Sequence, residues 1–117
     1  MRALALFILM GCCASSVEAA EVRCGWLSNP TPRNWWLTDK DGDWTLSTQG
    51  SETQAESMEL IPDMTQGEFV RTNGGYGYGC ACLTVEVGRG QKRVTRILAA
   101  RQLPLARCRA DKGLPKL

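Results

Sequence analysis

Hydrophobic and polar residues alternate most regularly from Cys80 to Val87. Ala81, Leu83, Val85 and Val87 share one face of an extended strand, and Cys80, Cys82, Thr84 and Glu86 share the other. The Gly-rich run Tyr76-Gly77-Tyr78-Gly79 reads as an approach loop feeding it, so a central strand over 80–87 is predicted, apolar on one side and carrying two sulfurs on the other. Asn34 to Ser47 shows a second alternating pattern around Asp41-Gly42, a favoured two-residue hairpin turn. With that pair at the tip, Lys40 faces Asp43, Thr38 faces Thr45 and Leu37 faces Leu46. Trp35, Leu37, Trp44 and Leu46 then fall on one face, with Trp36, Thr38, Thr45 and Ser47 on the other.

The remaining elements are shorter. Glu21 to Leu27 reads as a first strand ended by the Pro-rich turn Ser28 to Pro32. Ser51-Glu52-Thr53-Gln54 fits a capping box before a short helix carrying Ala55, Met58, Leu60 and Ile61, although a loop fits equally. Glu68 to Thr72 suggests a brief strand and Arg93 to Leu98 another, while the tail from Arg109 to Leu117 is expected to be held only through Cys108. Five or six short strands separated by turns predict a mostly β fold. This is a small disulfide-stapled antiparallel sheet, a sandwich or partly open barrel, with at most one short helix.

The beginning of the chain changes the compartment. Arg2 followed by the apolar run Ala3 to Ala14, then Val17-Glu18-Ala19, reads as a signal peptide over 1–19, leaving 20–117 as one β-rich domain. That run is shorter than the roughly 20 residues of a membrane-spanning helix, so no transmembrane anchor is expected. Leu9-Met10-Gly11-Cys12 imitates a lipoprotein box, which would tether the chain at Cys12, but Met beside the Gly fits it poorly. Cleavage also removes Cys12 and Cys13. Cys24, Cys80, Cys82 and Cys108 remain, an even number entering an oxidising compartment, which predicts two structural disulfides. Cys80 with Cys82 is disfavoured, because same-face neighbours on a strand sit about 6.5–7 Å apart. Cys24–Cys80 with Cys82–Cys108, and Cys24–Cys82 with Cys80–Cys108, both stay open. Either set closes long loops worth about 3–4 kcal/mol per bridge.

The chemistry that composition excludes is wider than what it suggests. The chain has no histidine, which removes Ser-His-Asp and Cys-His nucleophiles and His-ligated zinc. Asp39, Asp41 and Asp43 imitate a calcium loop, but Gly42 stands at its fourth position and Gly50 at its twelfth, so no metal or cofactor is expected. Arg89, Lys92, Arg93, Arg96 and Arg101 alternate with Val94, Ile97 and Leu98 as a solvated strand face does, and no nucleic-acid module accompanies them.

Four strings carry a resemblance: R-C-G-W-L-S-N-P-T-P from Arg23, N-W-W-L-T-D-K-D-G-D-W from Asn34, Y-G-Y-G-C-A-C-L from Tyr76, and Cys108-Arg109 with Asp111. Together they resemble a family of small exported bacterial proteins, the domain of unknown function family 4087, over nearly the whole chain after residue 20. The resemblance implies an exported domain and brings no catalytic residue with it.

The functional expectation is therefore a non-enzymatic binding or interaction module of the bacterial envelope, periplasmic or secreted, with a protein or glycan ligand. Trp26, Trp36, Tyr76 and Tyr78 are its candidate binding surface, since amphipathic aromatics commonly anchor such patches. The competing reading packs them over the disulfides as core. Two alternatives belong to other classes. One is a thiol-redox or four-cysteine metal protein, and the other a hydrolase pairing Asp39 or Asp41 with Glu86 or Glu68.

Overall fold

The computed structural model describes residues 19–88 and 90–117, together with Gly11. Most of the leader, including Cys12 and Cys13, lies outside the described residues, as does Arg89. Six strands form one antiparallel sheet: β1 (Glu21–Thr31), β2 (Asn34–Asp39), β3 (Gly42–Ser47), β4 (Phe69–Asn73), β5 (Tyr76–Val87) and β6 (Val94–Leu103). A short helix, α1 (Leu105–Ala110), follows. The order is β3-β2-β1-β5-β4, with β6 also on β5. The central strand is thus β5. Gly77 to Val85 pair with β1, Tyr76 to Gly79 pair with β4, and Cys80 to Val87 pair with β6.

The alternation read from β5 is the one the fold uses. Leu83 and Val85 are 0% exposed and build the main core with Leu27, Leu37, Trp44, Leu46, Val94 and Ile97. The opposite face carries the sulfurs. Cys82 pairs across the ladder with Cys24 and is bonded to it, while Cys80 is bonded to Cys108 in α1. One strand therefore holds both ends of the domain, with the second of the two open pairings.

The sheet is not closed into a barrel. Its gap is bridged by backbone: Thr45 N–H donates to Lys92 O, Ala55 N–H to Leu46 O, Glu56 N–H to Thr95 O, and Ile97 N–H to Glu56 O. Of the helix and the loop that both fit this stretch, Ala55 is thus in the loop. A strand edge left bare on each side exposes many unpaired backbone groups, and Gln54 to Glu56 satisfies them from both sides. The chain then reverses at Ser57, where φ is 64°, and continues in two single 3-10 turns, Met58–Leu60 and Met64–Gln66.

Three expectations are corrected. Strand β1 does not stop at Leu27 but runs on to Thr31, because Asn29 Nδ2 donates to Thr31 O and Asn34 O (both 2.9 Å) and moves the turn to Pro32-Arg33. The hairpin tip is Lys40-Asp41, so Thr38, not Lys40, faces Asp43 and Leu37 faces Trp44. Asp39 Oδ1 accepts the Asp41 N–H at 2.8 Å, which fixes the corner one residue early and leaves the positive φ of 121° to Gly42. The slip does not exchange faces, so Leu37, Trp44 and Leu46 still enter the core. Lastly, the tail is packed: Leu114 is buried, and Trp26 Nε1 donates to Pro115 O at 2.9 Å.

Candidate functional site

Trp26, Trp36, Tyr76 and Tyr78 do come to one face of the sheet. Ladder register places Thr45, Trp36, Ser28, Tyr78 and Val70 in a single row across β3, β2, β1, β5 and β4. The neighbouring row holds Asp43, Thr38, Trp26, Cys80 and Leu103. Helix α1 and the tail cover that second row, forming a small core of Trp26, Cys80, Leu103, Leu105, Cys108 and Leu114. Trp26 is 1% exposed. It is a core residue clustered with Cys80 and Cys108, as the competing reading has it, which corrects its candidacy as binding surface. Tyr78 stands edge-on against it, with ring centroids 5.3 Å apart at 88°, and remains half-buried. Trp36 and Tyr76 are half-buried as well, on the part of the face that the tail does not reach.

A concavity lies on the main-core face, near the glycine-rich beginning of β5. A groove of about 400 Å³ is floored by Leu27 and walled by Trp35, Met58, Ile61, Met64 and Phe69. Asn29, Asp63 and Thr65 supply its polar groups. The wall is anchored from beneath by Gln102, whose Nε2 donates to Met64 O at 2.9 Å and Glu68 O at 3.0 Å. Asp63 caps the second 3-10 turn. Hydrogen bonds from the Thr65 hydroxyl and N–H lead the effects that hold its carboxyl below the ordinary carboxylate range. Two methionines give such a wall adaptable shape.

This groove was missed in the sequence. Met58 and Ile61 read there as part of a short helix or as loop, Met64 carried no reading, and only long-range bridging to β3 and β6 turns them toward Leu27. The paired carboxylates do not assemble as one group. Asp39 and Asp41 both bind Arg23, at 2.8 and 3.1 Å, whereas Glu86 faces Arg96 at 3.9 Å. Arg23 also pairs with Glu21 and lies over the Trp44 ring, 3.6 Å from its centroid. Asp39 is buried among these partners. Desolvation pushes its carboxyl upward, but hydrogen bonds from Arg23, the Asp41 N–H and Trp44 outweigh it and hold the group below the usual range. The node fastens the hairpin tip to β1. All four cysteines of the described residues are oxidised, so a four-cysteine metal site has no thiolate to use.

A six-stranded antiparallel sheet with two disulfides and one short helix defines the class, a small stapled β domain. The chain belongs to the family described as protein of unknown function (DUF4087), whose model matches residues 18–115. No curated protein and no solved structure matches it.

Proposed function

We propose that this protein is an exported, non-enzymatic binding module of the bacterial envelope, periplasmic or secreted, and that it takes its protein or glycan ligand in the groove beside Met58. The groove is the observation that carries this reading: a concavity of about 400 Å³, apolar on most sides, with three polar residues placed to orient a ligand. Two disulfides suit an oxidising environment. No helix among the described residues is long and apolar enough to cross a membrane.

The test is retention of the purified protein on immobilised peptidoglycan strands and on immobilised envelope proteins, comparing wild type with Ile61→Arg. A wild-type signal on either support that Ile61→Arg abolishes supports the groove. Equal retention of the two overturns it. A second reading rests on Trp36, half-buried in the row with Ser28 and Tyr78 and clear of the small core under the tail. Loss of retention in Trp36→Ala with Ile61→Arg unaffected selects that row instead.

A further inference from the structure

The two disulfides occupy opposite environments. Cys80 and Cys108 are 1% and 3% exposed, sealed under α1 and the tail. Cys24 is exposed and Cys82 half-buried, on the part of the same face that α1 leaves open. Beside Cys24 lies a groove of about 310 Å³ lined by Val22, Arg23, Asp39, Lys40, Asp111 and Gly113. Arg23 and Asp39 neutralise each other at 2.8 Å. Lys40 and Asp111 are in no ion pair among the described residues, and the groove thus presents one cation and one anion.

We propose that Cys24–Cys82 is a thiol-exchange site for small thiols carrying both an amino group and a carboxylate. A thiolate in the groove, its carboxylate toward Lys40 and its ammonium toward Asp111, attacks Sγ of Cys24. Asp39 and Lys40 belong to β2 and its turn, which flank β1 on the side away from β5. The groove thus reaches Cys24 from its β2 side as well as from the tail. A bond forms between the thiol sulfur and Cys24, the Cys24–Cys82 bond breaks, and its electron pair leaves on Cys82. The products are a mixed disulfide at Cys24 and a Cys82 thiolate, with no net oxidation. Cys82 suits the leaving role. Arg101 stands directly opposite it on β6, on the same face. Cationic neighbours favour a thiolate, and a more stable thiolate leaves faster. This site is separate from the ligand groove beside Met58 and does not depend on it.

The experiment exposes the oxidised, folded protein to excess cysteine at neutral pH, quenches with acid, alkylates free thiols and maps adducts by peptide mass. The expected product is a cysteine adduct on Cys24 with Cys82 alkylated, formed at least about tenfold faster than any opening of Cys80–Cys108. Lys40→Glu should lower the rate with cysteine about two- to fivefold, the scale of one exposed charge contact, and leave the rate with neutral β-mercaptoethanol unchanged. Arg101→Gln should slow both thiols. Equal opening of the two bridges, an adduct on Cys82 in place of Cys24, or a Lys40→Glu rate unchanged with cysteine would overturn the proposal.

Discussion

The two faces of β5 bury side chains by different means. On one face Ala81, Leu83 and Val85 meet side chains from β1, β2, β3 and β6, together with Ala55 and Met64 from the segment that backbone hydrogen bonds at Ala55 and Glu56 tie to β3 and β6. On the other face only the row of Trp26, Cys80 and Leu103 is covered, by a six-residue helix and an extended tail. Neither covering piece would hold its position through backbone pairing. Cys80–Cys108 and the Trp26–Pro115 hydrogen bond do that work. The first face is closed by the ladder and the second by tethers. In a small domain the tethered face is the one that can stay partly open, and both the row with Trp36 and the exposed Cys24–Cys82 bridge lie on its open part.

The largest effects should come from testing whether the second face is a true core. Leu83→Ala and Trp26→Ala are each expected to cost about 3–5 kcal/mol in chemical denaturation, the range for emptying a fully buried large side chain. If Trp26→Ala costs under about 1 kcal/mol, the helix and tail are not fixed in solution and the second face has no core of its own. Replacing both Cys80 and Cys108 by Ala should cost about 3–4 kcal/mol, from a loop with sequence separation 28. That variant should also free the tail, visible as fast amide exchange at Leu114 and new exposure of Trp26, while Leu83 stays protected. Simultaneous loss of protection on both faces would show one cooperative core.

The same contrast explains what could be read from the sequence. Period-two patterning announces a strand whose face is buried by other strands, so β5, the face assignment of the Trp35 to Leu46 hairpin and the stapling by one strand were all legible. Tethered burial leaves no period. Leu114 and Pro115 follow a Gly in a charged tail, and nothing local indicates that they close over Trp26, so core and binding surface both stayed open for that tryptophan. The groove escaped for a related reason: Met58, Ile61 and Met64 are positioned by Glu56 hydrogen-bonding to Thr95 and Ile97, almost forty residues away in sequence. Gly25 illustrates the limit as well. A Cβ there would sit 2.0 Å from Thr38 O, so the residue between Cys24 and Trp26 must be bare for β2 to approach, a need set wholly by a distant strand.

The Arg23–Asp39–Trp44 node lies on the ladder-closed face and gives an intermediate effect with a pH signature. Asp39 titrates below its ordinary range in the folded protein, and an unfolded Asp titrates near about 3.9. The unfolded chain therefore takes up its proton first as pH falls. The stabilisation is fully present above about pH 4 and is lost as pH drops through the folded value. Asp39→Asn should cost about 1–3 kcal/mol at neutral pH, since it weakens charge-assisted hydrogen bonds to buried groups. It should also flatten the stability profile below about pH 4. A profile as steep in Asp39→Asn as in wild type would assign the acid sensitivity to other carboxylates.

The smallest effect tests the register of the hairpin that this node fastens. With the tip at Lys40-Asp41, the positive φ falls on Gly42, and the Lys92 ammonium packs against it and donates to Asp41 O. Gly42→Ala must then place a Cβ at a φ that L residues avoid and also push Lys92 aside, for a cost of about 1 kcal/mol. Asp41→Gly should also destabilise, by about 0.5–1 kcal/mol, because residue 41 has a negative φ, where Gly only adds freedom to the unfolded chain, and its exposed carboxylate pairs with Arg23. Had the tip been Asp41-Gly42, with positive φ at both positions, Asp41→Gly would relieve strain and stabilise the hairpin. The sign of that one substitution separates the two registers, and it does so on the ladder-closed face, where a slip that keeps the faces unchanged is otherwise silent in every burial measurement.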